Sequence, residues 1–242
     1  PHISNFTDID PFFDEPEVGV RLVRNLKELG EPDLLIIPGT KNTIDDLQWL
    51  KDEGFEQAIH KLFARETRIL GICGGFQMLG QFLHDPDAVE GDGGSAIGLS
   101  LLPVTTIFNK EKKTVQMTGE IVSESFGVLS LTGYEIHLGK TVIDDATVLP
   151  FLKLSDGRYD GAISENGKVI GTYFHGVFNN REFTRKFVNE LRIQKGLQPL
   201  NQKVQTDAER RESAYQLLAD HVRKHIDIEK VYNLIDIPLV SK

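Results

Sequence analysis

Residues 68–77, RILGICGGFQ, decide the fold of this 242-residue chain. Arg68–Ile72 is mostly aliphatic, which predicts a strand, and it runs directly into a turn at Cys73. The apolar residues that follow recur at helical spacing and predict a helix that continues to Leu83. Strand, sharp turn and helix in this order predict an α/β fold with a mostly parallel central sheet flanked by helices. The sites of such sheets lie at the carboxyl ends of the strands.

Two segments on the N-terminal side fit the same layout. Leu34–Ile37 is a short aliphatic run closed by a Pro-Gly pair, which predicts a strand buried on both faces of the sheet. Residues 18–29 space their apolar side chains at helical intervals and end before Gly30, so we expect an amphipathic helix there. A second helix is expected over about residues 44–63.

The second half of the chain changes character before it returns to helices. Residues 85–98 are rich in glycine and aspartate and predict a surface loop, whereas residues 101–173 alternate Thr, Val and Ile as antiparallel strands do. An Asn-Gly pair at 166–167, between two aliphatic dipeptides, predicts a hairpin. Helices are expected over Arg181–Gln194 and residues 207–224.

Composition and charge exclude several classes of function. The formal net charge of -9 argues against a nucleic-acid partner, because backbone phosphates are bound by clustered lysine and arginine. No apolar run approaches the roughly 20 residues of a membrane span, and no signal peptide is visible, so we expect a cytoplasmic protein without a membrane partner. The single cysteine excludes an internal disulfide. His221 and His225 lack a third ligand nearby, so we expect no metal site.

Cys73 lies where the predicted strand meets the predicted helix, with glycine two residues away on either side. This is the small-residue spacing of a nucleophile elbow, whose sharp turn projects the central side chain into a cleft. The adjacent helix N-terminus favours the thiolate. A lone cysteine is more often an inert buried side chain, so the assignment depends on two further segments.

Those segments place other groups at the same edge of the sheet. A predicted strand over residues 169–175 delivers His175, which would act as general base toward the thiol of Cys73. Gly39 follows the first strand, and its backbone N–H and that of Gly74 would form an oxyanion hole. A histidine or a Pro-Gly turn alone is usually structural. Together with Cys73 they predict nucleophilic catalysis.

Several motifs resemble those of known enzymes. PGT at 38–40, GICGGFQ at 71–77 and TYFHG at 172–176 resemble class I glutamine amidotransferases, which release ammonia from glutamine through a cysteine thioester. More closely, ISNFTDIDPF at 3–12, PGTKNTIDDLQWL at 38–50, GYEIHLG at 133–139 and GTYFHGVF at 171–178 resemble the cobyric acid synthase family over nearly the whole chain. The opening ISNFTD segment is the most specific part.

The resemblance implies a fold and a set of site residues. It implies a class I amidotransferase domain with a flavodoxin-like sheet over residues 1–200, with added antiparallel strands, and a C-terminal helical extension over residues 201–242 that packs on the same domain. Cys73 and His175 would be catalytic and L-glutamine the substrate. Gln77 occupies the position of a glutamine-contacting residue of the family. Tyr134 and His137 are candidates for lining the substrate pocket, with structural packing as the alternative.

One departure from the family pattern concerns the third catalytic residue. Class I enzymes place a glutamate two residues after the histidine, where this chain has Val177. The departure fits a Cys–His dyad and leaves open what orients the imidazole of His175, for which Glu135 is a candidate. Because an aligned carboxylate stabilises the imidazolium, we expect its absence to make the isolated domain a slow glutaminase.

The resemblance also implies a larger enzyme. An ATP-dependent synthetase domain would precede this one and hold ATP and Mg, since no GxxxxGK[ST] phosphate loop occurs here. Because the chain begins at Pro1, we expect a piece of a longer protein that supplies ammonia and has no cofactor of its own. The whole enzyme, a ligase, would amidate adenosylcobyrinic acid a,c-diamide to cobyric acid in cobalamin biosynthesis. Alternatives are the glutaminase of a cobyrinic acid a,c-diamide synthase or of a cell-wall amidating complex, and a catalytically silent docking module.

Overall fold

The computed structural model describes residues 2–90, 92–110, 113–123, 126–201, 207–227 and 230–231. The chain divides into two compact units, residues 1–200 and residues 201–242. The helices of the first unit are α1 Asp10–Phe13, α2 Leu26–Leu29, α3 Thr43–Asp52, α4 Phe55–Ala64, α5 Gly74–Leu79 and α6 Arg181–Gln194. Its strands are β1 Leu34–Ile37, β2 Arg68–Ile72, β3 Phe82–Asp85, β4 Gly94–Ile97, β5 Val104–Ile107, β6 Lys113–Ile121, β7 Ser130–His137, β8 Lys140–Ile143, β9 Val148–Leu149, β10 Leu152–Leu154, β11 Tyr159–Asp160, β12 Ala162–Ser164, β13 Val169–Thr172 and β14 Phe174–His175. The second unit contains α7, Asp207–His225.

The first sheet has the strand order β1-β2-β13-β12-β9. β1, β2 and β13 run parallel, so the residues that follow them meet at one edge of the sheet. Every residue of β2 is buried, and Ile69 packs in one core cluster while Leu70 and Ile72 pack in the other. A strand that joins both cores needs apolar side chains on both faces, which confirms the aliphatic pattern as a strand signal.

The chain leaves the first sheet for the second between β13 and β14. The second sheet has the order β11-β10-β6-β7-β14, and a third has the order β4-β3-β5-β8. Buried Asp160 fixes the backbone between β13 and β14. Its carboxylate accepts hydrogen bonds from the hydroxyl of Thr172 and from the backbone N–H of Tyr173 (3.1 Å). β14 then pairs with β7, with His175 opposite Tyr134. His175 is thus delivered by the second sheet.

Other predicted elements are also confirmed. β12 and β13 form the expected hairpin, with Ile163 opposite Ile170 and Gly167 in the turn at a φ of 67°. Within residues 101–173, where the alternation indicated antiparallel strands, β6 pairs antiparallel with β7 and β10, and β5 pairs antiparallel with β8 but parallel with β3. The helices over Arg181–Gln194 and from residue 207 are present. The packing of residues 201–242 on the rest of the chain stays a prediction.

The predicted helix over residues 18–29 is wrong, because only Leu26–Leu29 is helical. Val18 and Val20 are partly buried and their neighbours exposed, which is the two-residue period of an extended chain. Valine and glycine are poor helix formers, so the VGV sequence does not support a helix. The carboxylate of Glu28 accepts a backbone N–H one turn earlier (2.8 Å) and so stabilises the late start of α2.

Three further boundaries differ from the prediction. The helix expected over residues 44–63 is two helices, α3 and α4, separated by Gly54 at a φ of 78°. The helix after Cys73 ends at Leu79, and the apolar residues beyond it form β3. Gly80 packs so closely on the third sheet that a β-carbon there would lie 2.7 Å from the carbonyl oxygen of Val104. The expected loop over residues 85–98 contains β4, which pairs with β3.

Candidate active site

Cys73 lies at the corner between β2 and α5. Its backbone adopts φ 53° and ψ -112°, a strained conformation for a residue with a side chain. A β-carbon on Gly75 would lie 1.9 Å from the carbonyl oxygen of Ile37, and one on Gly71 would lie 2.6 Å from the carbonyl oxygen of Gly75. The corner therefore closes only with glycine at both positions, and the predicted elbow is present.

The imidazole of His175 is buried beside Cys73. A β-carbon placed on Gly39 would lie 3.3 Å from Cβ of Cys73 and 3.5 Å from Cε1 of His175, so both side chains meet against this glycine. Nδ1 of His175 lies 2.7 Å from Oδ2 of Asp8, and Nε2 has no hydrogen-bond partner among the described residues. With Asp8 accepting from Nδ1–H, Nε2 is left for the thiol or the substrate.

Charged neighbours control the protonation of His175. Burial by itself lowers the pKa of this imidazole, but the carboxylate of Asp8 and the sulfur of Cys73 outweigh it and raise the pKa of His175 to about 9. Tyr134 stacks on the imidazole with ring centroids 5.1 Å apart, and its hydroxyl accepts a hydrogen bond from Asn5 (2.6 Å). The site thus favours an imidazolium at neutral pH in a fixed ring orientation.

Asp8 is the residue of the candidate site that the sequence reasoning missed. It lies in a 3-10 turn, Phe6–Asp8, and its second carboxylate oxygen accepts the backbone N–H of Gly176 (2.9 Å). The description of the site as a Cys–His dyad is therefore incomplete, because Asp8 provides the aligned carboxylate that Val177 cannot. The expectation of a slow glutaminase rested on the absence of such a carboxylate, so Asp8 removes its basis. Asp8 belongs to the ISNFTD segment, which was the available signal.

Glu135, the predicted candidate for orienting His175, is not in that position. Its carboxylate pairs with Arg158 (2.7 Å) and lies 3.8 Å from Nε2 of His137. Burial raises the pKa of Glu135, but the nearby His137 and the hydrogen-bonded guanidinium of Arg158 outweigh burial and hold the pKa at about 2. Glu135 is therefore a buried anion of β7 that pairs with the exposed guanidinium of Arg158.

His137 and Tyr134 have different surroundings. His137 stacks on Tyr173 with ring centroids 3.8 Å apart, and its Nδ1 has no partner among the described residues. Tyr134 covers the imidazole of His175. Of the two candidates for lining the substrate pocket, Tyr134 is the one in contact with the Cys73–His175 pair. Their contact with substrate stays a prediction.

Gln77 is buried, and its side-chain amide is bonded inside the protein. Nε2 donates to the carbonyl of Leu138 (2.9 Å) and to the hydroxyl of Tyr173 (3.1 Å), and Oε1 accepts from the hydroxyl of Thr43 (3.1 Å). These bonds connect α5 to α3 and to the turn after β7. The amide of Gln77 thus holds these elements together, and its direct contact with glutamine stays a prediction.

The two predicted oxyanion-hole residues, Gly39 and Gly74, flank Cys73. Gly74 is the first residue of α5, where a helix leaves backbone N–H groups without intrahelical partners. A β-carbon on Gly74 would lie 3.2 Å from the backbone nitrogen of Thr40, so the segment after β1 approaches the elbow closely. The structure brings Gly39 and Gly74 together beside Cys73, and donation to an oxyanion stays a prediction.

The described residues contain neither a metal-binding cluster nor a membrane-spanning helix. Within the described ranges, no group of three or more His, Cys, Asp or Glu side chains is placed to hold a metal ion. The imidazoles of His221 and His225 lie against each other in α7 at a tilt of 33°, with ring centroids 4.3 Å apart. No helix in the described part of the chain is both long and apolar enough to cross a membrane.

Comparison with known proteins agrees with this geometry. A family profile described as the CobB/CobQ-like glutamine amidotransferase domain matches residues 1–183. The chain belongs to this family. Cobyric acid synthases similar to this amidotransferase domain include those of Clostridium botulinum strain Okra, 44% identical over 241 residues, and Thermoanaerobacter sp. strain X514, 42% identical over 247 residues. The alignments cover 97% and 98% of the chain and 48% of each relative, so the chain spans about half the length of these relatives.

Solved structures support the fold of the amidotransferase domain. A crystal structure of a glutamine amidotransferase has a TM-score of 0.56 and 17% identity, covering 78% of this chain and 94% of that one. PurLQS from Thermotoga maritima has a TM-score of 0.51 and 22% identity, covering 70% and 84%. The predicted α/β amidotransferase fold and the resemblance to cobyric acid synthases are confirmed.

Proposed function

We propose that this domain hydrolyses glutamine, with Cys73 as nucleophile and His175 as its acid and base. The observation that carries the proposal is the buried contact of His175 with Asp8, at the point where the imidazole meets Cys73. A buried carboxylate, an imidazole and a strained nucleophile at the carboxyl ends of parallel strands form the arrangement used for acyl transfer.

The reaction would proceed in two halves. The Cys73 thiolate attacks the side-chain carbonyl carbon of glutamine, and backbone N–H groups of Gly39 and Gly74 stabilise the oxyanion. The imidazolium of His175 gives its Nε2 proton to the leaving nitrogen, so ammonia departs and a thioester remains. Neutral His175 then takes a proton from water, which attacks the thioester and releases glutamate and the thiol. Asp8 holds Nδ1–H throughout.

The released ammonia would serve an ATP-dependent synthetase half of a longer polypeptide. The names of the relatives and the 48% of their length that is matched support this arrangement. We infer that the whole enzyme amidates adenosylcobyrinic acid a,c-diamide to cobyric acid, that ATP and Mg bind to the synthetase half, and that the enzyme works in the cytoplasm. Residues 1–200 would form the glutaminase and residues 201–242 an extension of it.

The direct test is production of glutamate and ammonia from glutamine by this chain. The parent should form both in equal amounts, and Cys73→Ser should form neither while unfolding at the same denaturant concentration. Equal activity in the folded Cys73→Ser variant would place the nucleophile elsewhere. A folded parent without glutaminase activity, alone or joined to the synthetase half, would favour the silent docking module.

A further inference from the structure

β1 is an edge strand with the properties of an interior one. Among the described strands it pairs only with β2. Leu35 and Ile37 pack in one core cluster, and Leu34 and Ile36 pack in the other, so both faces of the strand are covered. Edge strands usually carry charges, proline or a bulge that prevent further pairing, and the LLII sequence of β1 has none of these.

The backbone of β1 has an unpaired side. The N–H of Arg68 in β2 donates to the carbonyl of Asp33, just before β1. In β1 the backbone groups of Leu35 and Ile37 therefore also point toward β2. Because successive residues of a strand direct their polar groups to opposite sides, Leu34 and Ile36 direct theirs away from β2. No described residue forms a backbone hydrogen bond to these two.

A groove of about 650 Å³ runs along this open edge. Residues 18–23 form its other wall; they belong to neither a helix nor a strand, and Val18 and Val20 are partly buried while their neighbours are exposed, as in an extended chain. Val18 and Val20 pack in the same cluster as Ile36, and Val23 packs in the other cluster. Residues 18–23 therefore pack side chains in both core clusters, as a strand of the sheet would. No backbone hydrogen bond joins them to β1. The groove separates β1 from residues 18–23, and both segments pack side chains in the same two core clusters.

We propose that the groove takes one added β-strand, which pairs with the open backbone groups of Leu34 and Ile36. Since the groove reaches both core clusters, the strand carries apolar side chains on both of its faces. Its source is the additional polypeptide that the relatives carry, because this chain matches 48% of their length. Asn5 and Gly39 also line the groove, so the added strand extends the sheet up to the segments beside Cys73.

Residue-resolved amide hydrogen exchange tests the added strand. The two samples are this chain and a polypeptide of the relatives' length that contains it. Leu34 and Ile36 should exchange rapidly in the short chain and at least about 100-fold more slowly in the long one, because they gain buried partners. Leu35 and Ile37, bonded to β2, should be protected in both. Unchanged exchange of Leu34 and Ile36 would overturn the proposal.

Two controls identify what occupies the groove. Val20→Asp places a charge on the groove wall and should abolish the new protection in the long polypeptide. Leu26→Asp, at an exposed position outside the groove, should leave it intact. Protection that survives in the folded Val20→Asp variant would overturn the proposal, because the added strand would then not lie in the groove. Protection that appears in the short chain only as its concentration rises would overturn the proposed source in favour of a second copy. The unsubstituted comparison decides the matter if Val20→Asp does not fold.

Discussion

Replacing Asp8 by asparagine tests the proposed role of the carboxylate that contacts the imidazole of His175. The two side chains have nearly the same shape, so the amide oxygen can still accept the N–H of Gly176. Its NH2 group, however, would donate to Nδ1 of His175 and leave the ring proton on Nε2, which faces away from Asp8. The imidazole would then be in the wrong tautomer to accept a proton from Cys73.

The size of the effect follows from the electrostatics of the pair. The pKa of His175 is raised to about 9, compared with an ordinary value of about 6.5, and the difference corresponds to about 3 kcal/mol of imidazolium stabilisation. Asp8 contributes more to this rise than Cys73 does. The side chains of His175 and Asp8 are 1% and 4% exposed, so solvent screens the pair little. Loss of about 2–3 kcal/mol in the transition state would slow the reaction about 100-fold.

The assay is the rate at which diazo-oxo-norleucine, a glutamine-like electrophile, alkylates the protein. Asp8→Asn should react about 100-fold more slowly than the parent at neutral pH, with the same unfolding transition in urea. Asp10→Asn makes the same chemical change at an exposed position two residues later and should react like the parent. A folded Asp8→Asn variant that reacts as fast as Asp10→Asn would refute the reasoning.

Three further predictions concern stability and the residue at the family's glutamate position. Because folding raises the pKa of His175 to about 9, its stabilisation is complete below about pH 6.5 and is lost as pH rises through about 9. Urea unfolding should show this loss in the parent and a smaller one in His175→Gln, and equal losses would contradict it. Gly75→Ala should lower the free energy of unfolding by at least about 2 kcal/mol, because its β-carbon would lie 1.9 Å from a backbone carbonyl oxygen. Gly19→Ala, with nothing within 4 Å, should change it by less than about 0.5 kcal/mol, and similar losses in the two variants would refute the packing argument. Buried Val177→Ala should cost about 2 kcal/mol of stability and leave the alkylation rate within about threefold of the parent, whereas a much larger fall in rate would assign Val177 a catalytic role.

Local signals predicted the elbow and its surroundings. The aliphatic run of β2 and the glycines around Cys73 act over a few residues, so composition and spacing were sufficient to predict strand, turn and helix. His175 was predicted near Cys73 because parallel strands bring their carboxyl ends to one edge. The prediction succeeded although His175 belongs to β14 of the second sheet, since the crossing after β13 keeps it at the same edge.

Contacts between distant segments were not predictable in the same way. Asp8 and His175 are 167 residues apart, and nothing in the local pattern around either residue connects them. The helix predicted over residues 18–29 was wrong for another reason. Their apolar side chains fit both a helical and an extended period. Val18 and Val20 pack in the same core cluster as Leu34 and Ile36 of β1, and a count of periodicity does not include such contacts.

The central claim is that Cys73 is the nucleophile of a glutaminase, and the most direct measurement is peptide mass spectrometry after treatment with diazo-oxo-norleucine. We expect one adduct per chain, on the peptide that contains Cys73, formed more slowly in the presence of excess glutamine. The same treatment of Cys73→Ser should leave that peptide unmodified. An adduct on another residue, or alkylation of Cys73 at a rate that glutamine does not change, would contradict the account.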